Sequence, residues 1–285
     1  MSGQGGNRRP RTAESRTVPA RRRKLAGRFL VSGIFLAVAL AGVLHFANTP
    51  RSGAIVGLTN LVPVEPATSS IVTAAVSSET NIFTNFPPRQ LTKEDAPQVI
   101  NYGNNLLEQG KTKEAILVYQ EALKLAPDDE EAHFDLAFAY SRNRQIDAAI
   151  KEYMEALRLW PDYPEAHNNL GNILAARRNY DEAVTHFRAA LKTSPEYPSA
   201  MNGLGKVLVL QGKTAEATNQ FSEAIRLDQK NLEARYNLAN ALLTMTKVDE
   251  AIALFQEALQ IDPQFKLAAD GLARAIKQRQ EALKP

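Results

Sequence analysis

Cysteine is absent from all 285 residues. That excludes disulfides, thiolate metal sites, cysteine nucleophiles, haem attachment through cysteine and a lipid anchor on an N-terminal cysteine. Histidine occurs four times, as His45, His133, His167 and His186, and tryptophan once, as Trp160. No metal-ligand spacing, glycine-rich phosphate loop or serine-nucleophile motif occurs. Carboxylates are plentiful, but runs such as Asp128-Asp129-Glu130-Glu131 fall where a helix begins, and there the helix dipole favours negative charge. Trp160 precedes a helix-ending proline and reads as packing. The sequence therefore predicts no enzyme, no cofactor and no metal.

An excess of one charge is confined to one end. Residues 1–28 carry nine basic side chains, from Arg8 to Arg28, against the single acid Glu14, a net of +8. With +3 for the whole chain, the remainder comes to 3 − 8, or −5. The basic character belongs to the tail alone, and no nucleic-acid partner is expected from the average.

Long apolar runs are equally scarce, with one exception. Phe29 to Phe46 reads FLVSGIFLAVALAGVLHF, without a formal charge when His45 is counted neutral. As a helix it would span roughly 27 Å, at the short end for a bilayer crossing. Only Arg51 lies just after it, so the positive-inside tendency keeps residues 1–28 cytoplasmic and sends the C-terminal part across. The expectation is a single-pass signal-anchor in the cell membrane, with the rest of the chain extracytoplasmic (periplasmic in a bacterium). The alternative is cleavage at Ala39-Leu40-Ala41 and secretion after a cut near Ala41. Against it, the apolar run continues through Gly42-Val43-Leu44. Residues 47–92, rich in Pro, Ser, Thr and Ala, sustain no helical period and read as a flexible tether.

From Ala96 the sequence matches itself at a period of 34, in five units: 96–129, 130–163, 164–197, 198–231 and 232–265. The eighth position is small throughout: Gly103, Ala137, Gly171, Gly205, Ala239. The twentieth and twenty-seventh are alanine in every unit. The twenty-fourth is aromatic: Tyr119, Tyr153, Phe187, Phe221, Phe255. The thirty-second is Pro127, Pro161, Pro195 and Pro263, with Gln229 as the departure. Each column has a cause. Two antiparallel helices approach closely only over small side chains. A ring fills the space between one hairpin and the next. Proline ends the second helix, since it lacks the amide donor. Gly110 and Gly212 mark the turn within their units, and Arg144, Arg178 and Lys247 stand there or close by in the others.

This pattern resembles the tetratricopeptide repeat family. The usual tryptophan at the fourth position is replaced by Val99, His133, His167, Met201 and Arg235. The resemblance implies an all-α, right-handed solenoid of five helix–turn–helix repeats within residues 93–265. Residues 266–285 then read as a polar-backed capping helix, which such a stack needs to cover its last apolar face.

In the first helix of each unit, positions 4, 7, 8 and 11 share one side and read as core. The resemblance implies that the opposite side, positions 2, 6, 9 and 13, lines a concave groove that binds an extended peptide or a helix. The candidate residues are Asn101 and Asn104 in the first unit and Asp135, Phe138 and Arg142 in the second. Asn169 and Asn172 follow in the third, Lys206 in the fourth, and Asn237 and Asn240 in the fifth. Asparagine carries a donor and an acceptor on one amide and can bond a peptide backbone without reading side chains. The row is similar to the asparagine ladder in the repeat domain of O-linked N-acetylglucosamine transferases. The carboxylate clamp of Hsp70/Hsp90 co-chaperones needs lysine at the fifth position, where this chain has Ile100, Phe134, Asn168, Asn202 and Tyr236. The expected function is a membrane-tethered, non-catalytic scaffold that grips a protein or peptide partner. The alternative is an accessory subunit of a membrane enzyme or assembly machine, such as a glycosyltransferase or cytochrome-biogenesis complex.

Overall fold

The computed structural model describes residues 91–283. The basic tail 1–28, the segment Phe29 to Phe46 with its alternative cut near Ala41, and nearly all of the tether 47–92 lie outside the described residues. Among the described residues, no helix is long and apolar enough to cross a membrane.

A short 3-10 turn, Lys93–Asp95, leads into eleven α-helices. They are α1 (Ala96–Glu108), α2 (Thr112–Leu125), α3 (Glu130–Arg142), α4 (Ile146–Leu159), α5 (Pro164–Ala176) and α6 (Tyr180–Thr193). The rest are α7 (Pro198–Leu210), α8 (Thr214–Leu227), α9 (Leu232–Thr244), α10 (Val248–Ile261) and α11 (Lys266–Ala282). Each 34-residue unit holds one antiparallel pair, and α11 packs on the last pair.

Local chemistry sets the ends. The side chains of Asp129 and Asn231 accept the amides of Ala132 at 2.8 Å and Ala234 at 2.9 Å, capping α3 and α9. Proline at the first position opens α5 and α7, where its missing amide costs nothing. Every first helix closes with the same pair of reversed bonds, as in Lys111 N to Leu106 O at 2.9 Å and Gly110 N to Leu107 O at 3.0 Å. That closure needs a left-handed residue. Gly110 and Gly212 supply it at φ 77°, but Arg144, Arg178 and Thr246 adopt φ 62°, 66° and 60°. In the fifth unit the turn residue is thus Thr246, with Lys247 one place beyond it. The second helices all end on a residue outside the helical region, with φ between −126° and −135° and ψ between 81° and 100°. The residue before a proline is pushed extended by its ring. Asp228, before Gln229, adopts the same conformation, so the unit lacking proline stops α8 at the equivalent place.

The five rings of the aromatic column and the alanines of the twentieth and twenty-seventh positions are fully buried. All but one of the glycines that face these rings leave no room for a side chain, the exception being Gly171 at 3.1 Å from Phe187. A Cβ on Gly103 would lie 2.5 Å from Tyr119, one on Gly205 2.6 Å from Phe221, and one on Gly203 2.4 Å from Phe187. Burial of each ring is worth about 2–3 kcal/mol, and it depends on these small neighbours.

First helices of successive units touch one another: α1 with α3, α5 with α7, α7 with α9, and α9 with α11. The second helices do not approach to the same degree. The repeat stack therefore curves with its first helices on the inner wall. One junction is looser. α3 and α5 approach less closely than the other first helices, and α4 meets α5 over a shorter stretch than any other second helix meets its successor. The stacked rings of Phe134, Tyr163 and Trp160 occupy that junction, with centroids 4.8 Å and 4.3 Å apart.

Candidate functional site

The inner wall gathers the polar residues of α1, α3, α5, α7 and α9. Most of its amides already hold bonds within the chain. Asn104 accepts the Tyr119 hydroxyl at 2.5 Å and is bonded in turn to Asp135. Asn169 donates to the Tyr153 hydroxyl at 3.1 Å. Asn237 donates to Asn202 Oδ1 at 2.9 Å. Asn240 donates to the Tyr236 carbonyl at 2.8 Å and accepts from Arg274 at 3.0 Å. Lys206 pairs with Glu233 at 3.0 Å. Asn101 and Arg142 are exposed, and Phe138 and Asn172 are half-buried. Among the described residues Asn172 makes no side-chain hydrogen bond.

Asp135 differs from the rest. It is only 6% exposed, on the inner wall between the first two units. Burial, with the negative charges of Glu131 and Asp129 beside it, pushes its carboxyl up to about 8, against the lowering effect of the Asn104 bond. Tyr119 and Tyr163 are both raised, first by their own burial and next by the charge of Asp135. The Tyr119–Asn104–Asp135 chain thus braces the first junction.

Two groups of the inner wall escape the sequence reading. Asn168 is 5% exposed, and its Oδ1 has no hydrogen-bond partner. Glu165, one turn earlier on α5, is half-buried, and burial raises its carboxyl pKa, with only its own backbone amide acting against the rise. Among the described residues no cation pairs with it. The signal for both lay in the repeat register, at positions 2 and 5, and it shows only when each unit is compared with its neighbours.

The described histidines lie away from the inner wall, His133 and His167 on first helices and His186 on the second helix that faces His167. His133 contacts Glu152 at 2.7 Å and the Pro127 carbonyl at 3.0 Å. Burial lowers its pKa, but these two acceptors outweigh burial and the net shift is upward. His167 contacts His186 at 2.9 Å and the Pro161 carbonyl at 2.9 Å. Burial and that facing ring hold His186 down at about 4. These contacts tie the first helix to the second in the place of the family's tryptophan. Among the described residues, no group of three or more His, Cys, Asp or Glu is placed to hold a metal.

Family profiles match three stretches of the chain. One described as Tetratricopeptide repeat covers residues 135–200, and one described as TPR repeat covers 103–143. That of Anaphase-promoting complex, cyclosome, subunit 3 covers 176–258. The units are tetratricopeptide repeats. This fold is a typical protein–protein interaction scaffold and usually non-catalytic, and no catalytic domain is evident among the described residues. No curated protein matches the chain in sequence. Solved structures share the tetratricopeptide fold at low identity. YrrB, described as a TPR protein with an unusual peptide-binding site, is 24% identical over 62% of this chain and 92% of its own, with a TM-score of 0.53. Pseudomonas aeruginosa PilF is 23% identical over 67% and 93%, with 0.57. Yeast Tom70 is 21% identical over 66% and 40%, with 0.55.

Proposed function

We propose that the chain is a membrane-tethered scaffold that holds an extended segment of a partner protein along the inner wall of its tetratricopeptide repeats. The observation that carries the reading is the wall itself: first helices side by side, presenting amide and carboxylate groups at corresponding positions of successive units. YrrB, a relative in fold, is described as having a peptide-binding site of its own, which supports a groove of this kind. The tether rests on the apolar run from Phe29 to Phe46, and the placing of the repeats outside the cytoplasm rests on the basic residues before that run. Asn101 and Asn172 are the amides best placed to meet a peptide backbone, because neither is tied up by a side-chain bond within the described chain.

The test is site-specific photo-crosslinking of the full chain in its native membrane. A benzophenone side chain at residue 172, on the inner wall, should capture a defined protein partner. One at Met154, 60% exposed on the second helix α4, should not. Equal capture from both positions would overturn the groove reading.

A further inference from the structure

Successive units of the inner wall can be compared place by place, because the repeat keeps one register. In the last two units, two of the inner-wall acceptors are satisfied across the junction. Glu233, at the second position of its unit, is neutralised by Lys206, 27 residues earlier. Asn202, at the fifth position, receives the amide of Asn237, 35 residues later.

The third unit has the same two acceptors. Glu165 stands where Glu233 does, and Asn168 where Asn202 does. Neither has its partner. The residue 27 before Glu165 is Phe138 rather than lysine, and the residue 35 after Asn168 is Gly203 rather than asparagine. Glycine is forced there, since a Cβ on residue 203 would sit 2.4 Å from the Phe187 ring. The consequence is visible at both groups. Asn168 Oδ1 is buried without a donor, and Glu165 is partly desolvated without a cation. A buried acceptor left unmade costs about 1–3 kcal/mol, and bare desolvation of a carboxylate adds to that. Turning the Asn168 amide over does not remove the deficit. Its one contact is the long approach of Nδ2 to Asn169 Oδ1 at 3.4 Å. If both amides turn, Asn168 Nδ2 becomes the orphan instead.

Glu165 and Asn168 lie three residues apart on α5, hence on one face and about 5–6 Å between Cβ atoms. A guanidinium carries five donors in a planar fork and an ammonium three, so either can serve acceptors at that spacing. We propose that this third-unit subsite takes a basic side chain, Arg or Lys, of the partner's extended segment, which supplies what Lys206 and Asn237 supply one unit later. The inference rests on the groove reading above and adds the chemistry of the partner: a basic residue seated at α5, the reverse of a carboxylate clamp. The repeats suit such a partner in bulk charge as well, since the chain beyond residue 28 nets −5.

The test uses the full chain in detergent micelles and a random nonapeptide library displayed on phage. Enriched peptides should share an Arg or Lys at one aligned place. Synthetic copies with that residue as arginine should bind about tenfold tighter than copies with neutral citrulline, the gain of a charge-assisted pair at a half-exposed site. Glu165→Gln should erase the tenfold difference and leave the citrulline copy unchanged. Phe138→Lys, which installs the internal cation at its register position, should weaken the arginine copy about tenfold by competing for Glu165. Because Glu165 is partly desolvated and makes no internal ion pair, the thermal melt of Glu165→Gln should lie at or above the parent's, which separates lost recognition from lost fold. Enriched peptides without a basic residue, or a tenfold preference that survives Glu165→Gln, overturn the subsite and leave the groove standing. A library with no enriched peptide at all brings down the groove reading, and the subsite with it.

Discussion

Single residues here carry strain that a measurement can expose. Asp135 keeps its proton in the folded state up to about pH 8, whereas an ordinary aspartate loses it near 3.8. Between those values the folded chain binds more protons than the unfolded one, so this group's contribution to stability falls as pH rises through the window. Asp135→Asn keeps the shape and the Asn104 bond but cannot ionise. Its Tm at pH 7.5 should exceed the parent's by the equivalent of about 1–3 kcal/mol, and the two should converge near pH 4. Parallel melting curves across that range would show that Asp135 is not the group responsible. Thr246 is a second case. A β-branched residue in the left-handed region costs about 1–2 kcal/mol. Thr246→Gly should raise the unfolding free energy read from urea melts by about 1 kcal/mol, with Thr246→Ala giving no comparable gain.

At the scale of the helix pair, stability depends on how closely a ring is approached. Gly205→Ala drives a methyl to 2.6 Å from Phe221 and should cost about 1–3 kcal/mol. The same change at Gly171 meets Phe187 at 3.1 Å and should cost less. Equal losses in denaturant melts would mean that ring contact is not what selects glycine at the eighth position. Helices and their order were legible in the sequence because the columns that create them are local: small, ring-bearing and helix-stopping residues at fixed offsets. The inner wall was legible only as a face. Whether an amide on it is free depends on which partner the packed chain brings to it: Asn202, 35 places away, takes Asn237, and the Tyr236 carbonyl with Arg274, 34 places on, takes Asn240, so both read from the sequence like Asn172 although both are bonded. Asn168 looked unremarkable until Gly203 proved to stand where its partner belongs.

The repeat stack as a whole inherits the inequality of its junctions. In a solenoid, stability is roughly the sum of each unit and its nearest-neighbour interfaces. The α4–α5 interface is the least extensive of the second-to-first junctions and leans on Phe134, Tyr163 and Trp160. Native-state hydrogen exchange should therefore show the amides of α1 to α4 opening as a block, ahead of α5 to α11. Tyr163→Ala should speed that block while leaving α7 to α10 at the parent's rate. Uniform acceleration across all helices would mean that the junction is no weaker than the others.

A row of coupled segments with one soft link does not come apart as a single object. Its leading pair can swing loose while the remainder keeps its form. A long ligand lying on both sides of the link would act as a splint, so its arrival would be felt as slower exchange in α2 and α4, helices that the ligand never touches.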